Sequence, residues 1–170
     1  YMRQMKRFSH NHVTSWSEVK RPIDCLAPMD GVTNSAYRQI VRSLSKDVIL
    51  FSEFTSVDGL VRSNHVRLRL GYEPCEHPFF MQLFGNSPKI FAEASKMVEE
   101  RGISGVDINM GCPAKKVCKV AAGSALMRDE KLVARILDAV VTAVAVPVTL
   151  PALREASFQK HASSSTRMGS

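Results

Sequence analysis

A cysteine set between glycine and proline is the residue of this chain best suited to chemistry. Cys112 comes shortly after the apolar run of residues 105–108. Glycine lets the backbone approach closely and proline fixes the next φ angle, so the thiol can protrude into a cleft where a strand ends. Lys115 and Lys116 lie within one turn of chain, and neighbouring cations make a thiol more reactive. From the residues alone, a small buried side chain at a strand end is an equally good interpretation.

Five apolar runs are predicted to form the strands that position this cysteine. Helical segments separate them, and strands that alternate with helices imply parallel pairing with right-handed crossovers. The predicted fold class is α/β, an incomplete TIM-type (β/α) barrel with about five parallel strands, because a full barrel has eight strands and typically about 250 residues. The predicted strands are residues 23–28, 48–51, 79–84, 106–108 and 147–150.

Polar residues with capping ability precede the predicted helices. Ser87 is followed by proline at a first helical turn, and Asp129 precedes another apolar stripe, so both are predicted N-caps. Thr33 is predicted to cap the first helix, in which the apolar residues between positions 36 and 44 follow helical spacing. Residues 56–70 have a more irregular helical character.

The composition is that of a soluble globular domain with basic ends. The chain is 45% hydrophobic with a net charge of +7, and its excess of basic residues is greatest in residues 1–22. Those residues are predicted to be a polar arm that faces a polyanion, is simply solvated, or serves in targeting. Residues 151–170 lack any periodicity and are expected to be disordered, which leaves residues 23–150 as the folded domain. No apolar run reaches the roughly 18 residues of a membrane span, so a cytoplasmic protein is expected.

The remaining cysteines and histidines do not suggest a second site. No two of the four cysteines stand in C-x-x-C spacing, so no metal site is expected. Cys25, Cys75 and Cys118 are assigned structural roles. His65 and His77 have no partner spacing typical of a metal or a catalytic triad, and exposed loop positions are expected for them.

Three motifs follow one another near the ends of predicted strands. The first is APMDGVT at the end of the first strand, residues 27–33, and the second is QLFG at residues 82–85. The third is DINMGCPAKKV at residues 107–117, which is long and specific, and AGSAL at residues 122–126 continues it. In this order the motifs resemble those of the tRNA-dihydrouridine synthase family, most closely its bacterial B-type branch, and the resemblance extends over residues 23–150.

Members of this family fold as a flavin-binding barrel followed by a helical tRNA-binding domain, and they reduce uridine with FMN that NADPH recharges. The resemblance implies FMN and NADPH as cofactors and tRNA as partner. It also implies that Cys112 is the catalytic general acid, which gives a proton to C5 of the uracil while hydride reaches C6 from the flavin. The target base would be flipped out of its stack. The residues implied to bind the cofactor are Pro28, Met29, Asp30, Gln82 and Asn109.

Three lysines lie beside this cysteine, at positions Lys115, Lys116 and Lys119. With RNA as the substrate, they are predicted to contact backbone phosphates, because such contacts dominate the affinity of proteins for nucleic acids. A solvated basic loop is the alternative.

The resemblance stops at Leu150, where the family continues with a lysine and arginine run and with loops that grip the flavin phosphate. An incomplete barrel is therefore expected, with edges through which the chain could self-associate and with weak flavin binding or none. Three functions stay open at this point. The chain is part of a dihydrouridine synthase, a catalytically silent fragment or interaction module, or another FMN barrel oxidoreductase similar to dihydroorotate dehydrogenase.

Overall fold

The computed structural model describes residues 22–150. These residues form a parallel β-sheet whose strands are connected by helices. The strands follow the spatial order β1-β2-β4-β5-β6, and β3 pairs with β4 beyond the end of β2. The predicted tail of residues 151–170 and all but the last residue of the predicted N-terminal arm lie outside the described residues. The strands are β1 Cys25–Leu26, β2 Ile49–Phe51, β3 Thr55–Ser56, β4 Phe79–Phe84, β5 Gly105–Ile108 and β6 Val148–Thr149.

Helices occupy every connection between the main strands. Short 3-10 turns supplement them at Leu68–Leu70, Pro74–Glu76 and Gly123–Arg128. The helices are α1 Ser35–Leu44, α2 Val57–Arg62, α3 Asn64–Arg67, α4 Pro88–Glu100, α5 Lys115–Cys118 and α6 Glu130–Ala143.

All strand pairs are parallel, so the carboxyl ends of the strands share one edge of the sheet. Among residues 22–150, β1 and β6 each pair with one strand only, so the sheet stays open there. The α/β class and the partial TIM-type barrel are thus confirmed, with the five predicted strands present. The outermost two are shorter than predicted, and β3 is an additional short strand.

Alternate residues of β4 divide the interior into two layers. Phe79, Met81 and Leu83 join the large apolar cluster that includes residues of α4 and α6. Phe80 instead packs with apolar residues of β2 on the opposite face of the sheet. A Cβ at Gly105 would come within 2.2 Å of the Phe80 ring, so the neighbouring strand must carry glycine there. Nearer the carboxyl ends of the strands, the face that carries Phe80 bears the polar side chains of Gln82 and Asp107.

The capping predictions are confirmed for two helices and wrong for the third. The side chain of Ser87 accepts the Ile90 amide at the start of α4, and that of Asp129 accepts the Leu132 amide at the start of α6. The cap of α1 is Asn34, not Thr33. The Thr33 hydroxyl instead accepts the Met29 amide at 3.0 Å, which closes the turn after β1.

The buried side of α1 is charged, although its apolar residues follow helical spacing. Arg38 and Arg42 are each 4% exposed, whereas the apolar Leu44 is 82% exposed. Arg38 lies 2.6 Å from the carboxylate of the fully buried Glu76, and Arg42 donates to the backbone carbonyl of the same residue. Burial of these cations is possible because the carboxylate and carbonyl oxygens replace the water they lose. The arginines therefore connect α1 to the turn before β4.

Within the described part of the chain, no helix has both the length and the hydropathy needed to cross a membrane.

Candidate active site

A continuous series of hydrogen bonds crosses the carboxyl edge of the sheet and ends at the cysteine loop. The Thr149 hydroxyl and the Gln82 amide both donate to the Asp107 carboxylate, the second at 2.6 Å. The Asn109 amide donates to Gln82 Oε1 at 2.8 Å, and the backbone amide of Cys112 donates to Asn109 Oδ1 at 3.1 Å. We call these five residues the edge network. It joins β6, β5 and β4 to the loop that carries the thiol.

Strand register explains how the edge network forms. Gln82 of β4 is directly opposite Asp107 of β5, and Asp107 is opposite Thr149 of β6. Asn109 is two residues beyond Asp107, which places it on the same face of the strand. The face of the sheet that carries Phe80 therefore also carries the three side-chain donors of the network, which are Gln82, Asn109 and Thr149.

Asp107 is 1% exposed, so its carboxylate is almost entirely removed from water. Burial raises the pKa of this carboxyl, and the hydrogen bonds from Thr149 and Gln82 offset part of that effect. Asp107 therefore holds its charge less readily than an exposed aspartate, while it still accepts two hydrogen bonds.

The Cys112 loop is held from the other side by the segment that follows α5. The Cys112 carbonyl accepts the Ser124 amide at 3.0 Å and faces the Cys118 thiol at 3.6 Å. Gly123 has a φ of +60°, and a Cβ there would lie 2.6 Å from the Cys112 carbonyl oxygen. Only glycine combines this backbone conformation with this close approach. The backbone of Cys112 is thus fixed at its amide and its carbonyl, while its side chain stays half-buried.

The turn after β1 meets the same loop. Asp30 forms an ion pair with Lys116 at 3.2 Å, and the Gly31 amide donates to the Glu53 carboxylate at 2.6 Å. Pro28 is half-buried, and Met29 is 37% exposed. Two residues that the sequence predicts for different ligands, Asp30 for the flavin and Lys116 for RNA, therefore contact one another.

The three predicted RNA-binding lysines cluster on and beside α5. Lys115, Lys116 and Lys119 are all exposed. The Lys116 ammonium also lies 5.9 Å from the centre of the Phe54 ring. Its ion pair with Asp30 is exposed and worth only about 0–1 kcal/mol, so it leaves the lysine available to an anionic ligand.

The predicted flavin residues fit the ring end of such a cofactor. The edge network uses one N–H of each of the Gln82 and Asn109 amides, and each amide has a second. Asn109 is 7% exposed and Gln82 2%, so Asn109 is the more accessible of the two. Met29 adds an exposed apolar surface against which a planar ring could pack. In residues 22–150, no group of three or more His, Cys, Asp or Glu side chains could hold a metal ion.

Sequence reasoning missed several residues of the site. Asp107 and Thr149 were not singled out, although a carboxylate within a buried strand is itself a signal of a polar network. Ser52 was also missed; its hydroxyl accepts the backbone N–H of Gln82 at 2.9 Å and donates to the backbone carbonyl of Glu53. Gly123 could have been found only from its backbone conformation.

The structural role assigned to the other cysteines fits only Cys118, which hydrogen-bonds within the Cys112 loop. Cys25 and Cys75 are exposed. Partial burial raises the pKa of the Cys25 thiol, and the charges of Asp24 and Asp107 add to this effect. The exposed position expected for His77 is wrong, because its ring lies 2.7 Å from the Ser104 hydroxyl and is half-buried.

The protein is an α/β protein of the TIM-barrel type, with a cysteine loop and two buried side-chain amides at the carboxyl edge of its sheet. The chain matches the dihydrouridine synthase (Dus) family over residues 25–155, and it belongs to that family.

Its curated relatives place it in the B-type branch. It is 52% identical over 125 residues to tRNA-dihydrouridine synthase B of Pseudomonas aeruginosa, and 50% identical over 129 residues to the protein of the same name from Xanthomonas axonopodis pv. citri. Each match covers 74% of this chain and 38% of the relative, so the chain matches less than two fifths of their length.

Proposed function

We propose that this chain is part of a tRNA-dihydrouridine synthase, an FMN-dependent oxidoreductase that reduces uridine in tRNA to dihydrouridine with electrons from NADPH. The names of its relatives support the reaction, and its family membership supports the cofactor. The proposal includes tRNA as the macromolecular substrate and the cytoplasm as the location. Self-association through the open edges at β1 and β6 is a further part of it.

The fixed backbone of Cys112 is the observation that carries this proposal. Its amide is held by Asn109 and its carbonyl by Ser124, while the thiol is half-buried at the carboxyl edge of the sheet. A proton donor must be held on its target carbon within hydrogen-bond reach, and a backbone fixed on both sides of the side chain restricts where the sulfur can go.

Bound FMN would supply the hydride that reduces the uracil ring. Cys112 then has one task, which is to donate its thiol proton to C5 of the same ring. Asn109 holds the Cys112 loop through its oxygen and offers its second N–H to a polar edge of the ring system. Gln82 keeps Asn109 in that orientation, and Asp107 in turn keeps Gln82.

The turn after β1 supplies the other wall of the proposed ring site. Met29 offers its exposed side chain, and Pro28 and Asp30 flank it. Asp30 also ties this wall to the Cys112 loop through Lys116. We infer that the ring is held between the turn and the amides of the edge network.

The lysines beside Cys112 are proposed to bind the RNA backbone near the flipped uridine. Within the described residues, neither Lys115 nor Lys119 has an ion pair with an acidic side chain. Both lysines can therefore pair with RNA phosphates, and each phosphate that is neutralised would release counterions.

The proposal is tested by incubating the chain with tRNA, FMN and NADPH and measuring dihydrouridine by mass spectrometry of digested RNA. Cys112→Ala should lower the rate by about 10²-fold or more, because general acid catalysis contributes roughly 10²–10⁴-fold. Cys75→Ala is the matched control and should keep most of the activity, because this cysteine is exposed and lies outside the Cys112 loop. Equal rates in the two variants would remove Cys112 as the proton donor, and a wild-type chain that binds FMN and tRNA without forming dihydrouridine would contradict the proposed reaction.

Cofactor binding and association are measured on the same preparation. A fluorescence titration with FMN should give weak binding, because the predicted contacts lie at the ring end only. Asn109→Ala should weaken it further. Gel filtration over a range of concentrations should give a mass above that of a monomer if the open edges associate.

A further inference from the structure

Two cations from distant parts of the chain converge on Phe54, just beyond β2. Arg69 Nη1 lies 3.5 Å from the Phe54 backbone carbonyl, and the Lys116 ammonium lies 5.9 Å from the centre of its ring. Both cations are exposed. Phe54 itself is half-buried and packs edge-on against Phe84 at the end of β4. The basic surface around Cys112 therefore continues past the lysine loop to the segment between β3 and β4.

Arg69 differs from the other arginines of that segment in how its charge is used. Arg62 has an acidic partner, Asp58, at 3.4 Å one helical turn away. Arg67 donates to the carbonyls of Leu60 and Val61 and to the Asn64 side chain, so it closes the end of α2. The long contact with Phe54 is the one hydrogen bond that the Arg69 side chain makes within residues 22–150.

Arg69 also lines a cavity of about 190 Å³. Thr55 lines this cavity and is 2% exposed, and its hydroxyl has no hydrogen-bond partner. Buried hydroxyls are normally hydrogen-bonded, so this one is an exception, and it has no hydrogen bond to lose if its side chain turns. Ser35 and Glu53 line the cavity as well, and the Glu53 carboxylate accepts the Gly31 amide.

We propose that Arg69 and Thr55 form a phosphate subsite for the RNA strand, one step along the surface from the lysines at Cys112. This inference rests on the proposed function, because it takes RNA as the substrate. The Arg69 guanidinium would make a charge-assisted contact to a backbone phosphate. The Thr55 hydroxyl, which is enclosed in the present rotamer, would turn into the cavity and donate to one of the phosphate oxygens. Lys116 links the subsite to the uridine site across the Phe54 ring.

The test measures binding of unmodified tRNA to the 170-residue chain at several salt concentrations, without flavin or turnover. Arg69→Ala should flatten the slope of log affinity against log salt by about 0.7 to 0.9, the value for one phosphate contact. That slope corresponds to a loss of roughly five- to eightfold in affinity at 0.1 M salt relative to 1 M. Arg62→Ala is the matched control, because Arg62 is not among the residues that line the cavity, and it should leave the slope unchanged. Equal slopes in the two variants overturn the subsite.

Thr55→Val provides a second, independent readout. Valine keeps the shape of threonine and removes only the hydroxyl, which has no partner to lose. The variant should melt at the same temperature as the parent chain or higher, and it should bind tRNA several-fold more weakly. Glu53→Gln should do the opposite and strengthen binding, because it removes a negative charge beside the phosphate. If Thr55→Val instead lowers the melting temperature and leaves tRNA affinity unchanged, the hydroxyl stabilises the fold through a bound water, and the subsite is refuted.

The lysine loop separates failure of this inference from failure of the proposed function. Replacement of Lys115 and Lys119 by alanine tests the RNA interface on which the function depends. If that double variant loses affinity while Arg69→Ala does not, the subsite is wrong and the proposed RNA substrate stands. If neither set of substitutions changes binding, both are wrong.

Discussion

Substitution of Gly123 by alanine should loosen the Cys112 loop at a cost that the structure sets. The backbone at this position has a φ of +60°, and the left-handed conformation costs a residue with a Cβ about 1–2 kcal/mol. The new Cβ would also lie 2.6 Å from the Cys112 carbonyl oxygen and 2.8 Å from a methyl group of Val117. Overpacking of this kind typically costs about 1–3 kcal/mol. The free energy of unfolding should therefore fall by about 2–5 kcal/mol.

Gly31→Ala is the control that isolates the steric part of this cost. Gly31 also has a positive φ, +77°, but nothing lies within 4 Å of the Cβ that alanine would add. It should lose only the conformational share, about 1–2 kcal/mol. With a urea dependence of about 2 kcal/mol per molar, the two midpoints should differ by about 0.5–1.5 M. Alkylation of Cys112, followed by peptide mass spectrometry, should also become faster in Gly123→Ala alone. Equal midpoints and equal alkylation rates would refute the claim that close packing of Gly123 holds the loop.

Two further substitutions test the charged groups that the fold buries. Glu76→Ala should lower the free energy of unfolding by about 3–5 kcal/mol in urea denaturation, because it leaves Arg38 buried without its carboxylate; a loss below about 1 kcal/mol would mean that water replaces the partner. Burial raises the pKa of Asp107, so the folded chain binds this proton more tightly than the unfolded chain does. The stability that Asp107 contributes is therefore present below its ordinary pKa of about 3.9, and it is lost as the pH rises through the pKa of the folded state. Asp107→Asn should thus become more stable relative to the parent chain as the pH rises above about 4, and urea midpoints of the two chains that change in parallel with pH would contradict this.

Local signals predicted most of the fold. The caps at Ser87 and Asp129 are confirmed because a capping side chain bonds to an amide only three residues ahead. The strands are confirmed because a parallel sheet covered on both faces needs continuous apolar runs. The first helix shows the limit of this reasoning. Its buried arginines depend on Glu76, 38 residues after Arg38, and no periodicity within the helix contains that partner.

The position of the candidate site could be predicted from the sequence, but the hydrogen bonds within it could not. The resemblance implies that Gln82, Asn109 and Cys112 serve one site. The structure brings all three together, because the carboxyl ends of parallel strands share an edge. Their roles toward flavin and uridine stay predictions. Asp107 and Thr149 escaped notice because they are matched by the register of β5 against β6, which a single sequence does not contain.

The two side-chain amides of the edge network have a direction, because the groups on either side of the pair are fixed. On one side Asp107 can only accept when it is ionised, and on the other the Cys112 backbone N–H can only donate. Between them, Gln82 and Asn109 have a single arrangement that satisfies every bond, so neither amide can turn over unless the other turns with it. A reversed pair would set oxygen against carboxylate at one end and N–H against N–H at the other. The two amides therefore behave as one unit with one polarity, and a ligand on this face meets a pattern of donors and acceptors decided by Asp107, a residue it need never touch.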